Sequence, residues 1–510
     1  GQGVEIRVRG PFAGRDRRTE ARTEGDGGGG TSRLTPRPDP GLIRFSVVGL
    51  LLVVGLFVYP LRAQEASRLA LTASLVHEGS VEISGYPLGV DRAEVVGRVL
   101  SDKAPGQPFL AVPIYALGQA LGFQPAYELN IQSNLTLWLV TFGTATLPAV
   151  LLYHVGRRIA SYGGGLSGEL AAAAIATGTI LLPFSTLLFG HVMAGLAVGA
   201  AYLVLRGARG HLGFALAGLL AGLGVLIEYQ TVLAAVVLGA WALRRGRLRG
   251  GAAFLLGGLI PATLLGVYNA AAFGSVLGFS YQFSAFPEAV ERAAPAPEIF
   301  GWRPIDNLLL VFFSLRGFAV ASPVVLLALL GVVVAIRSKD RREEAIVQLG
   351  VFLALLAVPV LWSNPWGGES PGPRYLAPAL VVLTSGLANV WRIRPIAAFV
   401  AWSISFASML AATATDPLSL PRSSGRGVDV WLAEAVRGNF MRTVPEVIWG
   451  FPGRVVSLVL LGSLALLLGW AMYRTSKALA SRERVPGSFR LTATKTSRVV
   501  GADALKQDRG

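Results

Sequence analysis

The chain contains no cysteine, which excludes disulfides, thiolate metal sites and cysteine nucleophiles. Charge is scarce as well. Only 15% of the 510 residues are Asp, Glu, Lys or Arg, against about 25% in soluble domains, so the chain lacks the polar skin that a soluble protein of this length needs. Histidine occurs four times, at positions 77, 154, 191 and 211. No two stand at metal-ligand spacing, and no zinc site is expected. A Walker-type phosphate loop, a Gly-x-Ser-x-Gly elbow and a dinucleotide fingerprint are all missing. The energy for any reaction is therefore expected from an activated donor on the lipid side rather than from cytosolic nucleotide. No cleavable leader is evident before the first apolar run, which reads as a retained signal anchor.

What the chain has in abundance is apolar runs. Hydrophobic residues make up 53% of it and gather in stretches of about twenty, the length at which an α-helix spans hydrocarbon. The expected fold is an all-α polytopic membrane protein with about twelve transmembrane helices, at 42–61, 133–155, 168–186, 188–205, 210–227, 229–243, 251–270, 318–336, 344–362, 375–391, 395–413 and 453–472. A net charge of +16 raises nucleic acid as a partner, but no basic stripe with interleaved aromatics is present. The basic residues stand instead in short clusters between apolar runs: Arg157 with Arg158, Arg206 with Arg209, Arg244 to Arg249, Arg337 to Arg342, Arg392 with Arg394, and Arg474 with Lys477. With those clusters cytoplasmic, every inward span ends in one. Both termini then lie inside a plasma-membrane protein.

Residues 1–40, rich in Arg, Gly, Asp and Pro, are expected to be disordered. Residues 41–475 form the transmembrane domain and 476–510 a flexible cytoplasmic tail. The outer segments are then 62–132, 271–317, 363–374 and 414–452. The first of these, 62–132, needs structure of its own. Gln64 to Glu78 has helical spacing, and Phe109 to Leu121 is apolar but short for a span, so short helices at the membrane interface are expected there.

Carboxylates are few, which draws attention to Glu65, Glu78, Glu82, Asp91, Glu94 and Asp102 in that first outer segment, with Arg68, Arg92 and Lys103 among them. A carboxylate within hydrogen-bond reach of an acceptor hydroxyl serves as a general base, and Arg or Lys offsets charge on a phosphate leaving group. Equally, such residues solvate a long loop. His191, Glu228, Tyr229, Arg316, Arg374 and Tyr375 fall where helices meet the same outer surface. Ionisable residues at membrane depth are costly and usually face a cavity or a partner. Pairing of Glu228 with Arg316 or Arg374 is the structural alternative to a functional cavity.

The run Asp91-Arg92-Ala93, followed by Ser101-Asp102-Lys103-Ala104-Pro105-Gly106-Gln107-Pro108, resembles the first-loop pattern of the GT-C glycosyltransferases, which include protein O-mannosyltransferases and aminoarabinose transferases. Tyr268-Asn269 with Phe273-Gly274-Ser275, Arg316-Gly317-Phe318 with Ser322-Pro323, and Gly372-Pro373-Arg374-Tyr375 extend the resemblance over about residues 43–390. It is to the bacterial branch, and departs from the commoner pattern in that Arg92 follows Asp91 and Ala104-Pro105 follows Lys103. The resemblance implies inverting transfer of a sugar from a polyprenyl-phosphate donor to an extracytoplasmic glycan, lipid or protein. It implies Asp91 or its rival Glu65 as base, and Lys103, Arg316 and Arg374 on the donor phosphate. Asp102, His191, Glu228 and Tyr375 would position substrate. No cofactor is expected, and the sequence leaves a divalent cation open. The alternatives are a secondary transporter or flippase, for which matched halves and midplane polar residues are missing, and a non-catalytic assembly factor.

Overall fold

A computed structural model describes residues 39–86, 91–125, 135–161, 165–285, 303–420 and 425–483. The disorder expected over 1–40 and the flexible tail expected over 476–510 lie outside these residues except at their inner edges, where the last helix continues to Glu483.

The described chain is almost wholly helical. Helix α1, Pro40–Val54, begins where the Asp39 carboxylate accepts the Gly41 N–H at 2.8 Å and Pro40 occupies the first turn. The span was expected to continue to 61. Instead it stops at Val54, and Phe57–Val58 (β1) pairs antiparallel with Arg442–Thr443 (β2). The stretch that follows α1 is thus joined by main-chain hydrogen bonds to the stretch that precedes the last helix.

In the segment read as the first outer one, α2 covers Ala63–His77 and α3 covers Gly106–Ala120, close to the two runs singled out from sequence. Helix α2 differs from the expectation of an interfacial helix: Gln64 to Ser74 are all buried, so it packs inside the protein. Helix α3 keeps Leu110 and Leu117 exposed on one side.

Seven helices among the described residues are long and apolar enough to cross a membrane: Leu135–Ala160, Tyr229–Phe273, Pro304–Ala321, Arg342–Leu361, Arg374–Ile393, Pro395–Ala414 and Phe451–Ser481. Shorter apolar helices cover Pro40–Val54, His191–Gly207, His211–Ile227 and Val324–Ala335. Two features depart from expectation. A helix over Pro304–Phe313 lies in what was read as an outer segment. The two spans expected at 229–243 and 251–270 are joined at Arg247, whose φ of 52° and ψ of −157° break the helix, so a single-residue reversal replaces a loop. Helices in lipid gain little by hydrophobic association and pack through small residues. A Cβ on Gly331 would lie 1.9 Å from the Gly386 carbonyl oxygen, which shows how closely those two backbones cross.

The bundle has two chemically different ends. At one, Arg44 and Arg157 pair with Glu169 at 3.0 and 2.7 Å, Arg206 donates to the Ile159 and Arg158 carbonyls, and Trp241 donates to Glu343 at 2.8 Å. Arg157, Arg158 and Arg206 come from two of the basic clusters read as cytoplasmic, and Arg44 joins them. At the other end lie Glu65, Arg68, Asp91, Lys103, Glu228 and Arg374.

Candidate active site

The site is assembled from four pieces of chain that local sequence holds in place. The N-terminus of α2 is fixed by Glu65, whose carboxylate accepts the Arg62 N–H at 3.2 Å and, from across the fold, the Leu188 N–H at 3.1 Å. This anchors the first turn of α2 and leaves Arg62 and Gln64 facing a cavity. A short hairpin follows, Ala93–Val95 against Arg98–Leu100, turning through Val96 and Gly97 at positive φ. It presents Asp91 on one side and Ser101-Asp102-Lys103 on the other. Ser67 and Ser101 share a 2.9 Å hydrogen bond. The third piece is the short turn Ser280–Phe283, held where Ser280 donates to the Asp102 carbonyl at 2.8 Å.

The fourth piece is the loop 362–374. Arg316 lies under it, with its guanidinium 4.3 Å from the Trp366 ring centroid and Nη1 donating to the Ser370 carbonyl at 3.2 Å. Gly367 has φ of 77°, and a Cβ there would come within 2.6 Å of Arg374 Nε. Only glycine fits, because both the left-handed conformation and the contact exclude a side chain. Arg374 projects past it over the rings of Phe189 and Tyr375, at 5.8 and 5.4 Å. Its buried Nε has no hydrogen-bond partner among the described residues.

These pieces enclose a polar cavity of about 100 Å³ lined by Asp91, Asp102, Lys103, Arg374 and Tyr375, together with Arg62, Gln64, Tyr281 and Glu369. Lys103 Nζ stands between two carboxylates, 2.9 Å from Asp102 and 3.5 Å from Asp91. Asp102 is fully buried, and burial raises its pKa against the opposing pull of Lys103. The Asp91 side chain keeps 16% exposure and so meets whatever enters.

The other candidates do not line this cavity. Glu65 is buried beside a separate small cavity shared with Tyr59 and Thr186. Burial lifts its carboxyl to about 7, against the two backbone N–H groups that favour its charged form. Glu228 pairs at 2.7 Å with Arg68, not with Arg316 or Arg374, and has Gln230 at 3.2 Å and His191 Nδ1 at 3.6 Å. The guanidinium groups of Arg68 and Arg374 both stand over the Phe189 ring, 5.9 and 5.8 Å from its centroid. The structure therefore brings Asp91, Asp102, Lys103, Arg374 and Tyr375 to one cavity. It sets Glu65, His191 and Glu228 behind its wall and Arg316 beneath its loop.

Sequence reasoning did not single out Arg62, Gln64 or Tyr281. Arg62 had one signal, its position directly after the first span. It is held by Asp416, which its Nη2 meets at 2.5 Å. The Arg68–Glu228 pair joins residues 160 positions apart, and nothing local marks either as the other's partner.

No family profile and no curated relative matches the sequence. Among solved structures the fold is similar to that of ArnT from Cupriavidus metallidurans bound to undecaprenyl phosphate, with a TM-score of 0.50 and 14% identity over 87% of this chain and 76% of that one. Weaker similarity extends to the Archaeoglobus fulgidus oligosaccharyltransferase (TM-score 0.41, 13% identity, 88% of this chain and 56% of that one). It also extends to the arabinosyltransferase EmbB from Mycobacterium smegmatis (TM-score 0.41, 12% identity, 87% and 41%). The ArnT likeness is one of fold.

Proposed function

We propose that the chain is a membrane glycosyltransferase that moves a sugar from a polyprenyl-phosphate donor to a hydroxyl of an extracytoplasmic glycan, lipid or protein. The observation that carries this reading is the cavity that unites Asp91, Lys103 and Arg374, at the bundle end opposite the arginine clusters. If those clusters are cytoplasmic, the cavity opens outside, where lipid-linked sugars present their head groups. ArnT, whose fold is similar, was solved with undecaprenyl phosphate.

Each side chain then has a task that its chemistry suits. Lys103 and Arg374 bind the donor phosphate and offset the charge that grows on it as the bond to the anomeric carbon breaks. A phosphate on Lys103 competes with Asp91 for the same ammonium group. Donor binding thereby releases the Asp91 carboxylate, which takes the proton of the acceptor hydroxyl while the hydroxyl oxygen attacks the anomeric carbon from the face opposite the phosphate. The configuration inverts, the proton rests on Asp91 and polyprenyl phosphate leaves. Asp102 holds Lys103 throughout, and Tyr375 and Tyr281 line the space for the sugar. The scheme calls on no cofactor. Glu65 is the second choice as base, because its carboxylate already accepts two backbone hydrogen bonds and does not line the cavity.

The test is sugar transfer by the reconstituted full chain with a polyprenyl-phosphate-linked sugar. Asp91→Asn is expected to lower turnover by about 10²-fold or more with donor binding retained. Full turnover in Asp91→Asn together with loss in Glu65→Gln reassigns the base. Movement of an intact donor across the membrane with no bond broken favours the flippase instead.

A further inference from the structure

Two polar side chains that line the polar cavity take no part in holding the phosphate or the proton. The first is Gln64, in the first turn of α2 and only 9% exposed. Arg68 stands one helical turn on along the same face, and its Nη1 donates to Gln64 Oε1 at 3.2 Å. A guanidinium can only donate. The amide oxygen is therefore turned to Arg68, and the amide NH₂ is left for the cavity. Arg68 is itself fixed, since its Nη2 donates to Glu228 at 2.7 Å and its guanidinium stands over the Phe189 ring. The Gln64 NH₂ meets no acceptor among the described residues.

The second is Glu369. The other two carboxylates on the cavity, Asp91 and Asp102, both face Lys103, whereas Glu369 has no hydrogen bond or ion pair among the described residues. Its place in the loop is set from both sides. Gly367 and Gly368 precede it at φ of 77° and 115°, where a side chain is disfavoured, and the Ser370 carbonyl that follows accepts from Arg316 Nη1. A carboxylate repels a phosphate, so Glu369 is no ligand for that group. An ionised carboxylate only accepts hydrogen bonds and an amide NH₂ only donates them, while a hydroxyl does both. Resting on the donor reading above, we infer that Gln64 and Glu369 are the sugar-recognising pair of this cavity. The Gln64 amide donates to one ring hydroxyl and the Glu369 carboxylate accepts from another. The site thereby selects a phosphodiester whose sugar carries free hydroxyls over the same phosphodiester without a sugar. A few convergent polar groups in an aromatic wall, here formed by Tyr281, Tyr375 and Trp362, fix the orientation of a small ligand.

The experiment is calorimetry on the reconstituted full chain with undecaprenyl phosphate esters of equal charge. One carries a methyl group, and the others carry glucose, mannose or arabinose. Wild type is expected to bind at least one sugar ester about tenfold or more tighter than the methyl ester. Gln64→Leu and Glu369→Ala should each remove most of that preference and leave methyl ester affinity unchanged, which itself reports an intact fold and phosphate site. Glu369→Ala strips no partner from a neighbour, so it carries the test if Gln64→Leu fails to fold. Wild-type binding that ignores the sugar overturns the inference and leaves the donor reading standing. So does an equal loss on methyl and sugar esters in the variants, the mark of a structural or phosphate role. Loss of turnover in Glu369→Ala with sugar ester affinity unchanged makes Glu369 a base and also overturns it. Failure of wild type to bind any of the esters overturns the donor reading as well.

Discussion

The buried carboxyl of Glu65 gives a prediction whose size follows from its surroundings. The side chain is 2% exposed, and burial raises its pKa from an ordinary 4.5 to about 7. The folded protein therefore holds a proton here that the unfolded chain loses at lower pH. The stability associated with that proton is fully present below pH 4.5 and is lost as pH rises through 7. The distance between the two values corresponds to about 3 kcal/mol. Glu65→Gln removes the titration and should flatten this part of the profile. It also leaves one of the two N–H groups, Arg62 or Leu188, facing an amide NH₂, at about 1–3 kcal/mol. The variant should thus be less stable than wild type at pH 5 and closer to it at pH 8. Unfolding of the protein in detergent across that range measures the slope, and infrared titration of the protonated carboxyl band, absent in Glu65→Gln, measures the group itself. A wild-type profile flat from pH 5 to 8, or an equal slope in the variant, refutes the reasoning. The same titration separates the two candidate bases. Transfer that depends on Glu65 falls off below pH 7, whereas transfer that depends on the partly exposed Asp91 does not follow that group.

Three further outcomes are expected. Glu228→Met leaves the Arg68 guanidinium buried without its carboxylate and should destabilise by about 3–5 kcal/mol, while adding Arg68→Met should recover part of the loss; chemical unfolding of wild type, Glu228→Met, Arg68→Met and the double variant gives the coupling. Gly367→Ala places a Cβ against Arg374 in a left-handed conformation, and calorimetry should show polyprenyl-phosphate affinity reduced by about tenfold or more, whereas an unchanged affinity removes Arg374 from the phosphate site. Reporter fusions at residues 100 and 247 should report opposite sides of the membrane, and the same side for both contradicts the orientation.

Much of the architecture is legible in the sequence because the bilayer imposes simple rules. Most apolar runs of span length became helices, although the run at 168–186 breaks after Thr177 and the run at 318–336 breaks after Ala321, and basic clusters from different runs come together, as with Arg206 on the Ile159 carbonyl. Helix boundaries were less legible where tertiary pairing decides them. The first helix ends at Val54 because β1 is claimed by a strand almost four hundred residues away. In the site, Asp91, Asp102, Lys103, Arg374 and Tyr375 were found from their scarcity in an apolar chain. Their division from Glu65, His191, Glu228 and Arg316 was not, because it depends on which side of α2 and of the 362–374 loop each one faces. The sequence offered Arg316 or Arg374 as the partner of Glu228, and neither is the one it has. Packing of α2 selects Arg68.

The position of a bound lipid phosphate decides the roles of Lys103, Arg374 and Asp91. A structure of the full chain determined with polyprenyl phosphate should place the phosphate between Lys103 and Arg374, with the Asp91 carboxylate separated from Lys103 and turned toward the side on which an acceptor enters. A phosphate held among the arginines near Glu169, or a polar cavity left empty beside bound lipid, contradicts it.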